Sequence, residues 1–156
     1  MRKDAGVTLM EVLIVVAIIG VLTAIAIPNW LSWRANAKIN GAATNLRGDL
    51  EMAKMRAIKE NASVAIIFST NGYIIFIDNG VGAGIADNWV QDGNEIELTN
   101  RQFTPGVSMS NTFASGRTRF SGSGRPGNIG TAALSDSRGV QRQVIINTLG
   151  RIRLQY

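Results

Sequence analysis

From Gly6 to Pro28 the chain reads GVTLMEVLIVVAIIGVLTAIAIP, twenty-three residues in which Glu11 is the only charge. As a helix from Val7 to Ile27 this stretch would be about 31 Å long, the thickness of a bilayer's hydrocarbon core. The short basic lead Met1-Arg2-Lys3 sets the N-terminus on the cytoplasmic side. A carboxylate one helical turn inside a lipid-length segment is costly unless it is paired, so Glu11 is expected to serve a function. Two plain readings compete here. One is a secretory signal peptide, for which Ala24-Ile25-Ala26 offers a small-residue cleavage site. The other is a single-pass anchor, which leaves Glu11 unexplained.

Beyond Pro28 the helical pattern resumes. Ile39, Ala43, Leu46, Leu50, Ala53 and Ala57 recur at spacings of four and three, an apolar stripe of helical period, with Lys38, Asn45, Arg47, Asp49, Lys54 and Lys59 on other faces. The pattern predicts one long helix, apolar all round until Ile27, then amphipathic until about Lys59, and ended by Asn61. Gly20 and Pro28 are its expected bend points, the proline because it lacks an amide donor and crowds the preceding turn.

From Ser63 the period becomes strand-like. Val64–Phe68 and Tyr73–Asp78 are β-branched and aromatic runs joined by Ser69-Thr70-Asn71-Gly72, a hairpin signal. A Gly-, Asp- and Asn-rich loop over 79–94 follows. Short strands are predicted at Glu95–Leu98, Val107–Thr112, Arg117–Phe120, Ile129–Leu134, Gln141–Asn147 and Arg151–Tyr156. The fold class is α+β: a long N-terminal helix whose second half, 29–60, packs on an antiparallel β-rich domain over 61–156.

The chain contains no His and no Cys. Histidine or cysteine zinc sites, disulfides, thiol catalysis and any His-based triad are thereby excluded, and neither an enzyme nor a cofactor is expected. The net charge of +5 is unevenly spread: residues 34–98 sum to −2, whereas from Thr99 onward eight arginines and no lysine stand against Asp136 alone. Such asymmetry points to a polyanion such as nucleic acid, or to acidic neighbours on adjacent subunits. Two local motifs carry less. Gly122-Ser123-Gly124-Arg125-Pro126-Gly127 has the spacing of a phosphate-binding loop, but no helical stripe follows, so it reads as a plain loop. Asp87, Asp92, Glu95 and Glu97 lack the alternating oxygen ligands of a calcium loop, so they read as a solvated segment and no metal site is assigned.

Gly6-Val7-Thr8-Leu9-Met10-Glu11, the unbroken apolar helix and Pro28 together resemble the leader and N-terminal helix of the type IV pilin family. The C-terminal run Arg142-Gln143-Val144-Ile145-Ile146-Asn147-Thr148-Leu149-Gly150-Arg151-Ile152-Arg153 resembles the closing hairpin of the GspH/FimT group of minor pilins and pseudopilins, as does Phe120 with the Gly- and Arg-rich loop after it. The first match covers about thirty residues and the second about fifteen.

This resemblance implies a leader over 1–6 cut by a prepilin peptidase between Gly6 and Val7, and methylation of Val7. It implies a membrane and filament-core helix over 7–28, in which Glu11 pairs with the N-terminal amine of a neighbouring subunit. Two departures are Val7, where phenylalanine is usual, and the missing C-terminal disulfide of many major pilins. The implied function is a structural subunit that helps initiate or cap a type IV pilus or a type II secretion pseudopilus. Its expected partners are the peptidase, other major and minor pilins or pseudopilins, and the inner membrane. Its expected location is the bacterial inner membrane, then a periplasmic or extracellular filament. In competence-linked members the G-R-x-R element binds DNA. The alternative is therefore a pilus-displayed DNA-binding subunit using Arg151 and Arg153, with Arg117 and Arg119 repeating their spacing and widening the patch. Strand alternation predicts Ile152, Leu154 and Tyr156 facing the core, with Arg151 and Arg153 on the open face.

Overall fold

The structure, a computed structural model, describes residues 7–156. Gly6 and the basic lead lie outside the described residues. One helix, α1 (Leu9–Glu60), runs through Gly20 and Pro28 without interruption. The chain forms two compact units, one ending at Asn36 and one spanning Ala37–Tyr156.

In the first unit the helix is apolar on every side, and its large apolar side chains from Val7 to Trp33 are exposed by 48–79%. Among the described residues α1 is the one helix long and apolar enough to cross a membrane. The polar Thr23 side chain suits lipid, because its hydroxyl donates back to the Ile19 carbonyl at 2.9 Å and leaves no unsatisfied group facing outward.

In the second unit the stripe takes over. Ile39, Ala43, Leu46, Leu50, Ala53 and Ala57 are all fully buried. The helix stops where a left-handed residue becomes necessary. Asn61 has φ 48°, its amide donates to the Ile58 carbonyl at 3.3 Å, and the Ala62 amide reaches back to Ala57 at 3.2 Å. This pair of bonds satisfies carbonyls that the helix end would otherwise leave open.

Eight strands follow: β1 (Val64–Ser69), β2 (Gly72–Ile77), β3 (Glu97–Gln102), β4 (Val107–Asn111), β5 (Arg117–Phe120), β6 (Gly130–Asp136), β7 (Gln141–Ile146) and β8 (Ile152–Gln155). They make two four-stranded sheets, ordered β3-β2-β1-β5 and β4-β6-β7-β8, with every pairing antiparallel. The predicted hairpin is β1–β2, in register from Val64–Ile77 to Ser69–Gly72. Inner faces of both sheets and the α1 stripe share one core, which includes Val64, Ile66, Phe68, Tyr73, Ile75, Leu134, Val144, Ile146 and Ile152. A polar clamp backs this core. Asp49 of α1 accepts from the Tyr73 hydroxyl at 2.6 Å and from Arg101 Nε at 2.9 Å, tying the helix to β2 and β3. Burial, with Asp49 accepting the phenolic proton, pushes the Tyr73 pKa well above its ordinary value, so the hydroxyl remains a donor.

Two local expectations need correction. The strand expected at Glu95–Leu98 begins at Glu97 and continues through the polar Thr99–Gln102, because Glu95 is held in the preceding loop. Tyr156 does not face the core. It lies beyond the end of β8, 76% exposed, with its ring under the Arg142 guanidinium at 5.1 Å.

Leu50 sits mid-stripe with no exposure. Leu50→Ala should lower unfolding free energy by about 2–5 kcal/mol in urea titration of the full chain in detergent, whereas the exposed Met55→Ala should change it little.

Candidate functional site

Glu11 lies in the first turn of α1, exposed and without another charge between Val7 and Trp33. Thr8, which sequence reasoning passed over, prepares this turn: its hydroxyl accepts the Glu11 amide at 3.2 Å. Thr8-Leu9-Met10-Glu11 has the spacing of a capping box, and that pattern was the available signal. The helix N-terminus also favours an acid there.

The C-terminal hairpin explains its own glycine. Gly150 has φ 71°, and a Cβ there would stand 2.6 Å from the Gly124 carbonyl oxygen. Conformation and space therefore both demand glycine. Asn147 Oδ1 accepts the amides of Leu149 and Arg151 at 3.1 and 2.9 Å, and Lys54 Nζ donates to the Gly150 carbonyl at 2.9 Å. The turn delivers Arg151 and Arg153 to solvent on either side of the buried Ile152. The strand carrying Arg153, β8, is one of the two edge strands of its sheet, and an exposed cation there discourages edge-to-edge pairing whatever else it does.

Arg117 and Arg119 are placed differently, on β5 at an edge of the other sheet. Their guanidinium carbons lie 4.7 and 3.8 Å from the centre of the Trp89 ring, and Arg119 also pairs with Asp87. Both are half-buried. The 79–94 loop folds over the outer face of β5 and occupies these two arginines, so they do not extend the open surface of Arg151 and Arg153.

The acidic loop residues are not merely solvated. Buried Asp78 accepts the amides of Asn88 and Trp89 at 3.3 and 3.1 Å. Buried Glu95 accepts those of Gly80 and Asp92 at 2.8 and 3.3 Å, and Asp92 accepts the Ile85 amide at 3.1 Å. These bonds hold Asp87 and Trp89 at φ 62° and 66°, positions that non-glycine residues seldom adopt. The loop is a clasp built from carboxylates and backbone amides. The glycine-rich segment after β5 is a loop, as expected, closed by Gly124 donating to the Ser121 carbonyl at 2.7 Å.

Comparison with known proteins adds to this geometry. Residues 42–150 match the family of the type II transport protein GspH, and residues 1–27 match the prokaryotic N-terminal methylation motif. The chain is 30% identical to the pilin-like protein PilA1 of Thermus thermophilus, covering 96% of this chain and 97% of that protein. It is 53% identical to the type IV major pilin protein PilA of Myxococcus xanthus over 45 residues, which are 29% of this chain and only 20% of that pilin. Two solved structures share its fold. They are the minor pseudopilin EpsH from the Type 2 Secretion System of Vibrio cholerae (TM-score 0.58, 13% identity, 76% of this chain and 96% of that one) and the type IV minor pilin FimU of Pseudomonas aeruginosa (TM-score 0.57, 17% identity, 78% of this chain and 90% of that one).

The loop clasp carries a pH signature. A hydrogen bond from Ser63 and the Arg119 guanidinium hold the Asp87 carboxyl below its ordinary range. A carboxyl with a depressed folded pKa stabilises the fold above its unfolded value of about 3.9 and loses that contribution as pH falls further. Wild type should therefore exceed Asp87→Asn in urea midpoint at neutral pH, and the difference should shrink below about pH 4. A difference independent of pH would remove Asp87 from this role.

Proposed function

Because this chain belongs to the GspH family of pilin-like subunits, we propose that it is cut after Gly6, methylated at Val7 and docked into a filament through Glu11. It is a minor pilin or pseudopilin, a structural subunit with a membrane-spanning N-terminal helix, and not an enzyme. The observation that carries this reading is the pairing of the methylation motif over 1–27 with the GspH family over 42–150, joined by one uninterrupted helix. In this reading the first helical half, 7–28, leaves the inner membrane for the water-free core of a filament. The amphipathic half over 29–60 carries the β domain over 61–156. Gly20 and Pro28 are the points where the helix bends during that transfer.

Glu11 supplies the register. In a bundle of apolar helices its carboxylate lacks water, and the free amine of an adjacent chain forms a charge-assisted pair with it. The partners are then the prepilin peptidase, other major and minor pilins or pseudopilins, and the inner membrane. The subunit initiates or caps a type IV pilus or a type II secretion pseudopilus, with its N-terminus cytoplasmic before assembly. Glu11→Ala and Glu11→Gln should still give a mature chain whose mass begins at Val7, yet should enter sheared filaments far less than wild type. Normal incorporation would remove Glu11 from docking, and a mature start at Ile27 would return the segment to a signal peptide.

A second reading, DNA binding, rests on one observation: among the described residues Arg125, Arg151 and Arg153 make no ion pair or ring contact. A DNA surface would consist of these three, without Arg117 and Arg119. Binding of the full chain to duplex DNA should then weaken with salt, and Arg151→Ala with Arg153→Ala should lower the salt slope by about 2. An unchanged slope would leave the arginines as edge-strand charges.

A further inference from the structure

Trp30 and Trp33 have no part in the docking scheme, and nothing within their unit covers them. They stand one helical turn apart, three residues along α1, so they share a face. Their rings lie 5.3 Å apart, tilted by 34°, and the residues are 60% and 61% exposed. Neither indole N–H has a protein acceptor among the described residues. A pair of large apolar rings with two unused donors is unsuited both to bulk water and to hydrocarbon.

Their position along the helix resolves this. From Leu9 to Ile27 the rise is about 27 Å, close to the roughly 30 Å of a hydrocarbon core. Trp30 then falls about 4 Å and Trp33 about 9 Å past the last aliphatic residue of the run. The next charges are Arg34, which is exposed, and Lys38. Aliphatic run, indole pair, cation is the order in which a spanning helix meets hydrocarbon, carbonyl layer and phosphate. We propose that the Trp30–Trp33 pair is an interfacial anchor, seated in the lipid headgroup layer at the C-terminal end of the apolar span, that sets the depth of the unassembled subunit. The proposal rests on the reading that the first part of α1 crosses a bilayer. The rings occupy the carbonyl layer, their N–H groups donate to ester or phosphate oxygens, and Arg34 reaches the phosphates.

The third tryptophan, Trp89, sits against Arg117 and Arg119 and can be removed as a reporter. Full-length Trp89→Phe is reconstituted into phosphatidylcholine–phosphatidylglycerol vesicles containing lipids brominated near the headgroup, mid-chain or at the chain end. Emission should be blue-shifted from that of indole in water and quenched most by the lipid brominated near the headgroup. The converse variant, Trp30→Phe with Trp33→Phe and Trp89 retained, should lose that quenching, and it covers the case in which Trp89→Phe disturbs the loop. Strongest quenching by the chain-end lipid would overturn the proposal by placing the pair in hydrocarbon. Absence of quenching while the chain still floats with the vesicles would overturn it by assigning the pair to water or to protein. Failure of the chain to float at all would instead overturn the membrane reading beneath it.

Discussion

The stripe from Ile39 to Ala57 is the surface on which both sheets close. Residues from both sheets and from this one helix form a single buried core, so each sheet buries its inner face against the helix and against the other sheet. Small alanines at 43, 53 and 57 and the larger Ile39, Leu46 and Leu50 are all fully buried in this one core. The Asp49–Tyr73–Arg101 clamp then ties the helix to β2 and β3 beside this stripe. A half-exposed ion pair would contribute little by itself. Here the carboxylate also accepts a phenolic proton, and the pair joins residues fifty-two positions apart in sequence.

The arginine bias of the last third has a local cause that charge summation hides. Arg101, Arg119 and Arg138 pair with carboxylates, while Arg117, Arg119 and Arg142 lie against aromatic rings. Stacking and forked donation suit a guanidinium better than an ammonium, so most of these arginines are engaged within the fold. The charge asymmetry therefore overstates the surface open to a polyanion, which contracts to Arg125, Arg151 and Arg153.

The long-range plan of this fold was legible because it is written in periods. The helical stripe, the β1–β2 hairpin and the short strand at Arg117–Phe120 follow from spacing and composition alone. What escaped is what depends on neighbours distant in sequence. The strand β3 is polar and gains its order from pairing with β2 rather than from its own composition. The clasp of Asp78, Asp92 and Glu95 was invisible because carboxylates that bind backbone amides look the same in sequence as carboxylates in water. Trp89 gave no sign that it would cover Arg117 and Arg119, since nearly thirty residues separate them. Tyr156 was misplaced by extending strand alternation one residue past the last ladder pair.

Glu11 has two separable explanations, and magnitudes distinguish their reach. As an acid in the first turn, beside the Thr8 cap, it stabilises the helix by about 0.3–1 kcal/mol. That accounts for an acid near a helix start in water. In a membrane a charged group near a helix centre costs about 2.5–3.5 kcal/mol, and the first-turn stabilisation offsets only a fraction of this even at the shallower depth of one turn. Part of the penalty therefore persists for as long as the subunit stays alone in lipid. In the proposed docking, an amine on a neighbouring chain would relieve it, most strongly where water is most completely excluded. On this account the residue that destabilises the isolated subunit in its membrane is the one that favours its transfer into an assembly of like helices, and the Thr8 cap holds the turn that presents it.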